Sequence, residues 1–431
     1  MLPLLAIALL AQTPQHRLFL QPNLPRQGGG LAPPAFAFAT ASGVGMGTAC
    51  ACAAITGSKG ETVTFSRASS GTCLKASTTT GIANGDMVTC SSDQPRIGTG
   101  GGTGLKILTE ESRSNLTLRS QEIDNAAWAS NNSVVGDPTV TANQATGPDT
   151  TTMANAAERI QFPATSGAQY SQRYQLVNCG ATASASVFVR GNGMSGTLDI
   201  CGAATCTACA FTSTGWSRCV RENATDMTVA WTIANNSANN GGIARAANDV
   251  FVIGAQCETG AFATSYIATT GASATRAADI ADLNITFGSG TTGFSMAATS
   301  IHPLTTLLTT GSLAGVPGNG SLGGSSGSTS YSSPFDANST QVYTQDCTGA
   351  CSVNSYAGSI VVAGTSNRYA SYNTGTNLFG CVNGTCDTGV ASTWSAPTWT
   401  RYRLGHFSNV AGYINGWIGD VCLDPSPTRC R

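Results

Sequence analysis

Asp249–Asp279 reads DVFVIGAQCETGAFATSYIATTGASATRAAD. Val250, Phe251, Val252 and Ile253 form a β-branched and aromatic run, the pattern of a buried strand. Glu258-Thr259-Gly260 supplies a tight turn. Phe262, Tyr266 and Ile267 are placed to bring the chain back under cover as a second short strand, and a polar Thr/Ala exit follows. Gln256 and Glu258 are expected to hold the turn, with the three large apolar residues sealing a core. Strand, turn and strand in this order predict an all-β chain.

The rest of the chain has the same character. Only 10% of its 431 residues are charged, well under the ~25% usual in globular proteins. There are 51 glycines, and small polar residues surround scattered Val, Ile, Phe and Tyr. Such a composition favours short strands and turns over long helices. With 41% hydrophobic residues and a net charge of −1, the chain is not a disordered polyelectrolyte. No lysine or arginine run is present, so the phosphate neutralisation that nucleic-acid binding needs has no source.

Sixteen cysteines suit an oxidising environment. Thirteen of them fall in close groups: Cys50/Cys52, Cys73/Cys90, Cys201/Cys206/Cys209, Cys347/Cys351, Cys381/Cys386 and Cys422/Cys430. The rival reading is zinc, with Cys201, Cys206, Cys209 and Cys219 as four ligands. Two geometries follow from spacing. In Cys381-Val-Asn-Gly-Thr-Cys386, Asn383-Gly384 fits the centre of a type I′ hairpin. Cys381 and Cys386 then face each other at a non-hydrogen-bonded pair, where Cα atoms approach to about 4.5 Å and a disulfide fits. By the same logic, Tyr413–Ile418 forms a hairpin around Asn415-Gly416. A Cys73–Cys90 bridge would close a longer loop and stabilise by roughly 3 kcal/mol.

The first eleven residues, MLPLLAIALLA, are apolar but lack a basic flank and are too short to span a bilayer. A buried anchor and a signal peptide are the two readings. Residues 1–55 read as an extended arm. Residues 56–116 form a β-rich segment, 117–268 a jelly-roll, 269–282 a Thr/Ala-rich linker, and 283–431 a second β-sandwich.

Several stretches carry a resemblance. TFSRASSGT (Thr64–Thr72), Asp93-Gln-Pro-Arg-Ile97 and GLKILTEESRSNL (Gly104–Leu116) resemble the opening of bacteriophage virion structural and tail-fibre-type proteins. Asn125-Ala-Ala-Trp128, Val134–Ala154, Phe211–Arg218 and the Asp249–Asp279 stretch resemble the carbohydrate-binding-module-like jelly-roll of that group. Cys73 and Cys257 stand where the group has an aromatic residue and a leucine. TWTRYRLG (Thr398–Gly405) and GYINGWIGDVCLD (Gly412–Asp424) resemble the last strands of concanavalin-like, laminin-G-like sandwiches. The resemblance implies a non-enzymatic virion component: a fibre, a decoration, or a minor tail or capsid protein. Its implied partners are other virion proteins and host-surface glycans. It also implies a homo-oligomer, with a trimer as the analogy. A secreted or tailspike-type carbohydrate-active enzyme and a secreted bacterial lectin are the alternatives, the latter placing the chain outside a cell but on no particle.

Residues that could do chemistry are few. The three histidines, His16, His302 and His406, are far apart in sequence, and Glu110 and Glu111, being adjacent, would point to opposite faces of a strand. Gly323–Gly327 matches a hydrolase elbow pattern inside low-complexity sequence, without the strand–turn–helix context that elbow requires. No catalytic residue and no metal ligand are therefore assigned. Asp420 and Asp424 are where a laminin-G-like fold would hold a structural calcium, with surface carboxylates as the plainer reading; no other cofactor is implied. Aromatic residues that could stack on sugars are Trp128, Trp231, Trp394, Tyr369 and Tyr372. Trp216, Trp399 and Trp417 are expected in strands as core.

Overall fold

The structure is a computed structural model. It describes residues 38–39, 55–57, 62–74, 87–90, 92–93, 95–98, 106–148, 156–287, 294–301, 323–325, 330–337, 341–348, 350–357, 366–391, 399–404 and 416–424. Among them the chain is all-β, with one 3-10 turn at Ala238–Asn240.

Ten strands form the jelly-roll: β1 Ala129–Asn132, β2 Thr139–Thr146, β3 Ala156–Phe162, β4 Tyr170–Leu176, β5 Ala183–Gly191, β6 Gly196–Cys201, β7 Cys206–Phe211, β8 Ser217–Ala224, β9 Ala230–Asn236 and β10 Asn248–Thr259. They make two antiparallel sheets, ordered β2-β3-β10-β5-β8 and β7-β6-β9-β4-β1. Alternation explains the core between them. Val187 and Val189 of β5, Ile160 of β3, Ile200 of β6, Trp231 and Ile233 of β9, and Val250 and Val252 of β10 share one buried cluster.

A bulge in β10 lets its sequence serve two faces. Pairing with β5 shifts register between Ser186 and Phe188, opposite Gly254, which sits at φ 70°. After Val252 faces the core, Ile253 faces outward, and Ala255 and Cys257 return to the core. Cys257 is bonded to Cys179, 78 positions away. Outside, Ile253 meets Phe188 and Tyr266, whose rings lie edge to face at 6.2 Å.

The second strand expected across Phe262–Ile267 does not form. Phe262, Tyr266 and Ile267 are buried, yet the backbone from 260 to 273 is irregular. Side chains of β10 take the place of a ladder. The Ile267 N–H donates to Gln256 Oε1 at 2.6 Å, and the Thr264 N–H donates to Glu258 Oε2 at 2.7 Å. Gly260 turns the chain at φ 129°, where an added Cβ would overlap the Arg113 guanidinium.

The strands flanking the jelly-roll pair with one another. Thr62–Ser66 lies beside Ile280–Phe287, with Phe65 opposite Ala281. Lys106–Thr109 lies beside Gly416–Asp424, with Ile107 opposite Ile418. The β-rich segment and the last part of the chain therefore share sheets, and the jelly-roll is inserted between them. The expected linker is structured as well: Ala274–Arg276 pairs with Arg113–Asn115, so both its backbone and its charges are committed.

Where these segments meet, the charged residues of the sequence motifs converge. Asp279 accepts from Arg67 at 3.1 Å, from Arg96, and from the Glu110 N–H at 3.0 Å. Arg96 also donates to Glu110 and to Ser265, and Arg276 lies 3.4 Å from Glu110. Burial would raise the Glu110 pKa, but Arg96 and Arg276 override it and hold its carboxyl down at about 2. Burial lowers the pKa of Arg67 and of Arg276. For Arg96 the two carboxylates outweigh burial, and its pKa is raised.

In the Asn383-Gly384 hairpin both turn residues have positive φ, 49° and 84°. Cys381 and Cys386 are register partners with Cα atoms 4.0 Å apart, and they form a disulfide. Backbone register sets Cys347 opposite Cys351, and sets Cys90 opposite Gly71 with Cys73 opposite Val88. The side chains of these four, of Cys422 and Cys430, and of Asp420 and Asp424 lie outside the described residues, as do most of the N-terminal arm and the start of the Tyr413–Ile418 hairpin.

Candidate binding face

Three of the aromatic residues expected to meet sugars are core instead. Trp128 is 2% exposed and Trp231 0%, and their rings pack edge to face at 5.4 Å. Each indole N–H is spent inside, Trp128 on Arg119 O and Trp231 on Thr117 Oγ1. Strand alternation explains Trp231, whose neighbour at i+2, Ile233, shares the core. Tyr372 is also buried, stacked on Phe379 at 4.5 Å with planes 5° apart. The Tyr369 side chain and Trp394 lie outside the described residues.

A different strand carries an outward, half-buried aromatic face. In β4, YSQRYQL, Ser171, Arg173 and Gln175 are buried while Tyr170, Gln172 and Tyr174 are half-buried and Leu176 is exposed. The inward set is fixed by hydrogen bonds. Arg173 donates to Ile123 O at 2.6 Å, and the Gln175 amide clasps both backbone groups of Leu118. With these pinned, alternation turns Tyr170, Gln172 and Tyr174 outward. Register sets small or amide residues beside them: Ala234 and Asn131 flank Gln172, and Thr232 and Ala129 flank Tyr174. The neighbours of Gln172 and Tyr174 on the adjacent strands are therefore short side chains. At about 3.3 Å per residue the two rings are spaced roughly 13 Å apart.

One side of this face is walled. The turn after β9 carries Asn240 and Arg245, and both donate to Asp199, Asn240 at 3.0 Å and Arg245 bidentately at 2.9 Å. Asp199 is fully buried, and burial raises its pKa despite Arg245. Asn239 reaches Ala203 O at 3.4 Å. At that end Cys201 is bonded to Cys206 and Cys209 to Cys219. All four thiols of the zinc alternative are thus consumed, and no group of metal-ligating side chains occurs among the described residues.

The carboxylates of the TEESR motif are committed to ion pairs. Glu110 is ionised and locked to arginines, and Glu111 pairs with Arg113. Glu158 has its pKa raised to about 8, first by burial and then by Asp124, yet it is only 2% exposed. Nothing in the sequence set Tyr170 and Tyr174 apart from other strand aromatics; the available signal was their i, i+4 spacing around Gln172.

No protein-family model matches the chain, and no curated protein matches it. Among solved structures, the mouse laminin alpha1 chain, domains LG4-5, is similar over 73% of this chain and 89% of that one, at 10% identity and a TM-score of 0.25. The CBM22-1-CBM22-2 tandem domain of Paenibacillus barcinonensis Xyn10C is similar over 72% and 97%, at 9% identity and a TM-score of 0.23. At such scores neither likeness bears on what this chain binds, and the all-β fold rests on the strand pairing described above.

Proposed function

We propose that this chain is a non-catalytic, extracellular structural protein that holds glycans on the outer face of β4. The observation that carries the reading is the outward set Tyr170, Gln172 and Tyr174 beside short side chains. Aromatic faces stack on the apolar side of sugar rings, and amides serve the hydroxyls. Four described disulfides support a setting outside a reducing cytosol. The resemblance of the RASS, DQPR, TEESR and TRAAD motifs to phage proteins supports a place on a virion.

The test is affinity electrophoresis in gels containing neutral polysaccharides, comparing the wild type with Tyr170→Ala/Tyr174→Ala. Retardation lost in the double variant supports the reading, and equal retardation of both proteins counts against it. A secreted lectin would use the same face. Recovery of the chain in density-purified particles supports the virion; recovery only as free protein supports the lectin.

A further inference from the structure

Arg190 lies on the other sheet of the jelly-roll, on its outer side. Its register partner in β10 is Phe251, and Trp216 immediately precedes β8 on its other flank. The guanidinium carbon sits 5.0 Å from the Trp216 ring centroid and 5.2 Å from that of Phe251. The cation is thus held between two aromatic rings. All three side chains are half-buried.

Arg190 has no acceptor among the described residues. The carboxylate two positions before Phe251 is spent: Asp249 is gripped by Arg159 through Nε and Nη2, and it also accepts from Asn192 at 3.2 Å. Arg159 is the register partner of Phe251, and Thr141 that of Arg159. The row across the sheet therefore runs aromatic, unpaired cation, aromatic, paired cation, hydroxyl, with the Gln161 and Asn192 amides beside it.

We propose that Arg190 anchors a second binding site, for the carboxylate of an acidic polysaccharide built from uronic-acid-type sugars. A guanidinium takes a carboxylate through two parallel N–H donors. Two rings have already fixed the Arg190 plane, so little side-chain freedom is left to lose on binding. Trp216 and Phe251 offer apolar ring edges to the sugar, and Thr141, Gln161 and Asn192 offer hydrogen bonds to its hydroxyls. This mixture suits a sugar acid better than an acidic peptide.

The test is calorimetric titration at low salt with polygalacturonate, its methyl ester and poly-L-glutamate. Polygalacturonate is expected to bind, the ester to bind at least about tenfold more weakly, and Arg190→Gln to lose at least about tenfold in affinity for polygalacturonate. In the Tyr170→Ala/Tyr174→Ala background, Arg190→Gln is still expected to lose at least about tenfold in affinity for polygalacturonate, which separates this site from the face on β4. Equal binding by Arg190→Gln overturns the proposal, and poly-L-glutamate binding as tightly reassigns the site to acidic peptides. The wild type supplies a check free of folding effects: polygalacturonate should slow phenylglyoxal labelling of Arg190, read by peptide mass spectrometry. An unchanged labelling rate overturns the site.

Discussion

Arg67 donates to Asp279 at 3.1 Å, although the two residues are 212 positions apart in the chain. The whole jelly-roll lies between them. Asp279 also holds Arg96 and the Glu110 backbone, so one carboxylate ties both stems of the inserted domain. Removing it would leave buried guanidinium groups without their counter-charge. Asp279→Ala is expected to lose about 3–5 kcal/mol in urea unfolding. Asp249→Ala breaks a partly exposed, solvent-screened pair with Arg159 and should lose much less. Similar losses for the two variants would show that burial of the cluster does not matter.

The disulfides should contribute more the longer the loop they close, growing with the logarithm of its length. Cys179–Cys257 spans 78 positions and Cys201–Cys206 spans 5. Chain entropy alone assigns about 4.5 kcal/mol to the first and about 2 kcal/mol to the second. Replacing Cys179 and Cys257 with Ala should therefore lower the melting temperature more than replacing Cys201 and Cys206. The reverse order would mean that native packing, not loop closure, sets their worth.

Much of the architecture was legible because strand chemistry is local. Val250–Ile253 formed the expected strand, and Asn383-Gly384 fixed both a turn and the cysteine pair across it. What escaped was set by partners distant in sequence. The Phe262–Ile267 stretch looks like a strand, but Gln256 and Glu258 satisfy its backbone, so it stays irregular. Arg67, Arg96, Glu110, Arg276 and Asp279 were each visible in a motif, yet no local spacing shows that they meet. Nothing near Trp128 and Trp231 in sequence reveals which sheet face is covered, and the same lack hides Tyr170 and Tyr174.

The β4 face should read ligand length. Two rings roughly 13 Å apart cannot both be covered by one sugar. For a long neutral oligosaccharide, Tyr170→Ala and Tyr174→Ala should each lose about 1–2 kcal/mol of binding free energy. For a monosaccharide, which covers one ring, one of the two substitutions should have no effect. Titration calorimetry over a series of chain lengths checks this. Sensitivity to both substitutions at every length would mean the rings do not act as separate subsites.

Glu158 should make stability fall as pH rises. Its folded pKa is raised from 4.5 to about 8, because burial and then Asp124 both oppose its charge. Between those values the folded state keeps a proton that the unfolded chain gives up. Unfolding then releases that proton, so higher pH favours the unfolded state. The slope approaches about 1.4 kcal/mol per pH unit within the window. Outside it, below 4.5 and above about 8, this group contributes no slope. Glu158→Gln cannot ionise and should flatten the decline, leaving the variant more stable than the wild type near pH 8. One Glu158 oxygen already lacks a hydrogen-bond partner among the described residues, so the amide forfeits few contacts. Urea midpoints measured at pH 5 and pH 8 for both proteins decide the matter. A wild type whose midpoint rises between those values while the variant tracks it would show that Glu158 is charged in the fold.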